Sequence, residues 1–73
     1  MAIRVKKNRQ KLGKKIQKLR KVFGLSQEEL ADRTGISRTH MGHIEQGRKT
    51  PSLSLLEKIV KILKVKLSDL FGN

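Results

Sequence analysis

The sequence predicts a single all-α domain of five helices. Three observations lead there. Apolar residues recur at three- and four-residue spacing in segments that glycines separate. Serine capping signatures stand at the heads of several of those segments. No stretch alternates apolar with polar residues, and β-branched side chains do not cluster as a strand requires. With 73 residues and 36% hydrophobic side chains, the chain can close one small core without metal or disulfide. Cys is absent, which excludes a disulfide scaffold and thiol catalysis and suits a reducing compartment.

Taken in order, residues 1–7 read as a flexible basic arm, and residues 8–73 as the single domain. Leu12, Ile16, Leu19 and Phe23 fall at i, i+4, i+7 and i+11, a narrow stripe on a first helix from about Asn8 to Phe23, which Gly24 ends. Ser26 and Glu29 form a capping box that opens a second helix through about Arg33, and Gly35 breaks it. Ser37 can cap a third helix from about Arg38 to Gln46, closed by Gly47. Pro51 and Ser52 start a fourth helix through about Leu63, with Ser54 and Glu57 as an alternative box. A last helical turn is expected at Leu67–Phe71.

Charge narrows the function. Eighteen Lys and Arg against six Asp and Glu leave a net +12, a self-repulsion most commonly offset by a polyanion. The excess is uneven: residues 1–24 hold ten Lys or Arg and no acid, whereas residues 25–50 hold four of each sign. With Phe23 and Phe71 as the only aromatics, the base stacking used to read single strands or RNA is excluded. No nucleophile–base pair, paired carboxylates or metal set can be assembled, so an enzyme is not expected, and neither is a cofactor. His40 and His43 stand at the i, i+3 spacing that two metal ligands could use, but no third ligand is well placed. No apolar run approaches the roughly 18 residues of a membrane span, and none follows the basic start as in a signal peptide, so a cytoplasmic protein without membrane contact is expected.

The second and third helices are short, and a tight Gly-containing turn separates them, which is the helix-turn-helix arrangement. Ala31 is small where the two helices approach, and Gly35 can take the positive φ of the turn. Met41 and Ile44 face inward from the third helix. Arg38, Thr39, Gly42, His43 and Gln46 form its outer face, small and polar as a helix in a groove about 12 Å wide requires.

Gln27-Glu28-Glu29-Leu30-Ala31, Gly35-Ile36-Ser37-Arg38-Thr39, Ile44-Glu45-Gln46-Gly47-Arg48 and Pro51-Ser52-Leu53 resemble the Cro/C1-type (XRE) helix-turn-helix family. The resemblance runs from about Leu12 to Phe71 and implies a lambda-repressor-like five-helix domain that binds double-stranded DNA. It further implies that Gln27 clamps a backbone phosphate, that Arg38 and Thr39 enter the major groove with His43 one turn later, and that His40, Gln46, Arg48 and Lys49 lie toward flanking phosphates. The residue chemistry agrees. Arg can hold guanine O6 and N7 with two bonds, and the Thr methyl can touch a thymine methyl. The amides that follow the Ser37 cap add phosphate donors. Gly42 departs from the pattern, since a contacting side chain often sits there. In the family, the Arg matching Arg20 forms a partly buried pair with the Glu matching Glu45. The family includes phage repressors, antitoxins and restriction–modification controllers, and Arg38-Thr39 with the compact length resembles the controllers in particular.

Two surfaces stay open to more than one reading. Lys11, Lys14, Lys15, Lys18 and Lys21 share one sector of roughly 120° on the first helix, at about 100° per residue, whereas Arg20 lies beside the apolar stripe. The sector is either a solvated face or an auxiliary DNA surface. On the fourth helix, Leu53, Leu56, Val60 and Leu63 form one stripe and Leu55, Ile59 and Ile62 another, covering about 180° against the roughly 100° of a one-sided helix. Either the helix is buried on both sides, or part of the second stripe joins Leu67, Leu70 and Phe71 in a homodimer surface. One helix-turn-helix reads too few base pairs to be selective, and dimers solve that with two half-sites about 34 Å apart. The expected function is a homodimeric transcriptional regulator, simplest as a repressor of a short palindromic operator. The rivals are an antitoxin that holds a toxin as its protein partner and a sequence-blind DNA compactor; activation would require a patch for RNA polymerase.

Overall fold

The computed structural model describes the backbone of residues 2–71 and the side chains of residues 8–71. Among them are five helices and no strand: α1 (Ala2–Phe23), α2 (Gln27–Thr34), α3 (Arg38–Glu45), α4 (Leu53–Leu63) and α5 (Leu67–Phe71). α1 starts well before the expected Asn8. Residues 2–7 contain neither Pro nor Gly, and Lys and Arg extend a helix readily once it has begun. The segment expected as a flexible arm therefore enters as helical backbone from Ala2, and its side chains lie outside the described residues.

The next three helices start on serine. Ser26, Ser37 and Ser52 take extended backbone, and their hydroxyls accept from the amides of Glu29, His40 and Leu55. Ser26 and Glu29 complete the capping box, because the Glu29 carboxylate accepts from the Ser26 amide at 2.9 Å. That backbone bond holds the Glu29 carboxyl below its ordinary range. Its contribution to stability is therefore present above the ordinary carboxylate pKa and is lost as the pH falls through the lowered one. At the fourth helix Ser52 takes the cap, not the alternative Ser54 box.

The core draws on all five helices, with α4 supplying the most, and its centre takes one or two side chains from each of the first four. Ile16, Leu30, Met41, Ile44 and Ile59 are fully buried at its centre. α4 packs against α1, α2 and α5, and buried side chains come from both its apolar stripes. Leu55 and Ile59 are buried, and Ile62 packs against them, as does Leu70 of α5. Most of the stripe offered as a dimer surface is thus core; of that group Phe71 alone stays largely exposed, at 64%. Leu53, at the head of the first stripe, is exposed instead.

Between α2 and α3, Gly35 takes φ 79° and its amide closes α2 on the carbonyls of Ala31 and Asp32. Ala31 is buried where the two helices meet. α1 then crosses the far end of α3 at backbone distance. A Cβ on Gly13 would lie 2.3 Å from the Ile44 carbonyl oxygen and 2.6 Å from that of Glu45. Neither oxygen belongs to a side chain that can turn away.

Gly13→Ala should therefore destabilise the domain, although Ala is the better helix former by roughly 1 kcal/mol. Forced overpacking typically costs about 1–3 kcal/mol, and backbone atoms on both sides set this case at the upper end. Thermal unfolding followed by circular dichroism should show a clear drop in Tm; an unchanged or raised Tm would refute the close approach.

Candidate nucleic-acid interface

The outer face of α3 begins at its cap. The Ser37 hydroxyl is engaged with the His40 amide at 3.0 Å, which starts the helix at Arg38 and leaves Arg38 and Thr39 exposed at its head. His43 follows, half-buried, and Gln46 and Arg48 are exposed at the other end. With Gln27 of α2 and Gly42, these side chains line one open concavity. Of the residues singled out in the sequence, Gln27, Arg38, Thr39, His43, Gln46 and Arg48 are thus brought together. Ser37, half-buried His40 and exposed Lys49 lie outside that lining. Ser37 serves the helix cap itself.

Arg38 is loosely held. Its Nη1 stands 3.8 Å from Glu28 Oε2, with the two side chains 70% and 65% exposed. Pairs of this kind are worth about 0–1 kcal/mol, so a ligand with stronger acceptors can draw the guanidinium away.

Beneath the face lies a buried ion pair. Arg20 of α1 donates from Nε to Glu45 Oε2 at 2.7 Å and from Nη2 to Oε1 at 2.9 Å, and Nη1 donates to the Leu25 carbonyl at 2.9 Å. This fork-on-carboxylate geometry ties α1 to the end of α3 and to the loop before α2. Gln27 joins it, donating from Nε2 to Glu45 Oε1 at 3.1 Å. An ionised carboxylate only accepts, so the Gln27 amide must present its nitrogen there. Its Oε1 then lies over Gly42, 3.4 Å from where a Cβ would stand. The gap that the sequence shows at Gly42 is covered by Gln27, and Gly42 is buried.

Sequence reasoning placed Gly47 as the stop of α3 but missed its contact with α1, and it missed Gly13 altogether. Gly47 takes φ 78°, and a Cβ there would meet Gln10 Cγ at 2.6 Å, so α1 braces α3 at Gly13 and again just past its end. An isolated glycine inside a helical pattern was the available signal for Gly13. Among the described residues no three His, Cys, Asp or Glu side chains gather as metal ligands, and no helix is long and apolar enough to cross a membrane.

Comparison with known proteins matches residues 16–70 to the Helix-turn-helix family HTH_3. An uncharacterized HTH-type transcriptional regulator of Archaeoglobus fulgidus is 39% identical over 57 residues, which cover 78% of this chain and 80% of that protein. The immunity repressor protein of Bacillus phage phi105 is 36% identical over 62 residues, 85% of this chain and 43% of the repressor. Among solved structures, the restriction-modification controller protein C.AhdI from Aeromonas hydrophila superposes with a TM-score of 0.80 at 35% identity, covering 85% of this chain and 94% of the controller.

The ion pair makes a direct prediction. Arg20→Met or Glu45→Leu alone leaves a charge buried without its partner, at a cost of about 3–5 kcal/mol. The double variant removes both charges and should recover much of that loss in a chemical-denaturation cycle. Strictly additive losses would show that the two side chains are not coupled.

Proposed function

The chain belongs to the Helix-turn-helix family HTH_3, of the Cro/C1 (XRE) type, and is a DNA-binding transcriptional regulator; from that premise we propose that it represses transcription as a homodimer on a short palindromic operator. The observation that carries this reading is the exposed head of α3, where Arg38 and Thr39 open a concavity that Gln27, His43, Gln46 and Arg48 complete. In this reading α3 lies in the major groove of double-stranded DNA. Arg38 holds guanine O6 and N7, and Thr39 touches a thymine methyl or the adjoining base edge. His43, one turn later, faces the next base pairs.

Gln27, Ser37, His40, Gln46, Arg48 and Lys49 serve the sugar–phosphate backbone. Gln27 uses one amide hydrogen on Glu45 and has a second for a phosphate. Ser37 contributes by starting the helix whose first amides face the phosphate. Such contacts set position, and the base contacts of Arg38 and Thr39 set sequence.

Dimerisation is supported by exposed apolar side chains on two helices that pack together, Val22 and Phe23 on α1 and Phe71 on α5. Repression follows if polymerase is excluded from the occupied promoter. The protein works in the cytoplasm and needs no cofactor.

A random-library selection of bound duplexes tests the reading, and a palindrome with half-sites about 34 Å apart is expected. Arg38→Ala should then cost about 1–3 kcal/mol on the operator and relax preference at one base pair per half-site. Equal losses on operator and random DNA would demote Arg38 to a phosphate contact. A parent protein that binds every duplex alike would point to a DNA compactor instead.

A further inference from the structure

The five lysines of α1 are one sector on a helical wheel, but the fold does not treat them alike. Gly13 and Arg20 mark the edge of α1 that abuts α3. At about 100° per residue, Gln17 and Gln10 come next around the helix, and Lys14 follows them. These three side chains line a second groove, whose opposite wall is Gln27, Glu45 and Gln46. Gln27 and Gln46 also line the concavity at the face of α3. The polar edge of α1 is therefore continuous with the recognition surface.

The electrostatics of this groove favour an anion. Glu45 is its only acid, and its carboxylate already accepts from Arg20 Nε, Arg20 Nη2 and Gln27 Nε2. Lys14 is exposed and, among the described residues, has no ion pair. The groove thus carries one uncommitted positive charge beside amide side chains that can donate to phosphate oxygens. Lys15 lies about 100° further round α1 and is half-buried, away from the groove lining.

We propose that Lys14, with Gln10 and Gln17, forms a second DNA-backbone contact on α1, holding the phosphates that flank the segment read by α3. This rests on the regulator reading above and adds residues to it. The occupant is the sugar–phosphate strand and not a base edge, because the groove lies beside α3. Lysine supplies a point charge suited to phosphate, and the two glutamines supply adaptable donors.

The test compares Lys14→Gln with Lys15→Gln in the full chain, titrating a selected operator duplex and a random duplex across a range of salt. Both substitutions lower the net charge by one, so long-range attraction falls equally in the two variants. Each phosphate contact on duplex DNA contributes about −0.9 to the slope of log affinity against log salt. Lys14→Gln should make the slope shallower by about one unit on both duplexes, with operator preference and melting temperature unchanged. Lys15→Gln should move it by less than half as much. Equal slopes for the two variants, with operator preference intact, would overturn the α1 contact and leave the regulator reading standing. A parent without operator preference would overturn the operator reading, and the difference between the two lysine variants would still decide the contact. A parent that binds no duplex would overturn both.

Discussion

Glu45 ends α3 with a side chain only 1% exposed, and Arg20 is what allows a carboxylate to stay there. Removing a charge from water costs several kcal/mol unless geometry and hydrogen bonds offset it. Here the guanidinium meets the carboxylate in a fork, and its remaining nitrogen takes the Leu25 carbonyl. Small domains have a total stability of about 5–15 kcal/mol. One unpaired charge at this point, at about 3–5 kcal/mol, therefore removes a large fraction of that margin. The seating of α3 on α1, and with it the direction of α3's outer face, depends on this pair.

The glycines act on the same seam. Gly13 lets α1 approach the last carbonyls of α3, and Gly47 lets the chain turn against Gln10. The close approach brings Arg20 within reach of Glu45, and the ion pair in turn orients Gln27. A side chain on the outer surface thus takes its direction from a carboxylate beneath it. The orientation of Gln27 therefore depends on the packing of α1 against α3 as well as on that of α2 against α3.

Charge is arranged to match. Of the acids in residues 25–50, Glu29 serves a helix cap, Glu45 is neutralised in the pair and Glu28 stands near Arg38. α1 carries only cations among its charged residues, and its edge toward α3 extends the polar surface around Gln27 and Gln46. A field of one sign draws DNA in and holds it regardless of sequence. In the proposed reading, sequence preference falls to the few side chains at the head of α3.

Much of this was legible in the sequence. Serine caps mark where α2, α3 and α4 start and glycines mark where α1, α2 and α3 stop, because capping is local chemistry, whereas α4 stops at Lys64 in the left-handed conformation. The motif residues from Gln27 to Arg48 carry the family resemblance, and that resemblance implied Arg20 and Glu45 as partners, 25 residues apart. The early start of α1 was not legible, since no apolar residue stands between Val5 and Leu12 to continue the stripe. Tertiary structure alone decided that the second stripe of α4 belongs to the core, that Gly13 is a contact point and that Gln27 covers Gly42. It also separated Lys14 from its neighbours on α1. Periodicity reports the angle of a side chain around its own helix. What stands opposite that side chain depends on how closely two helices approach, and the backbone contact at Gly13 settles that here.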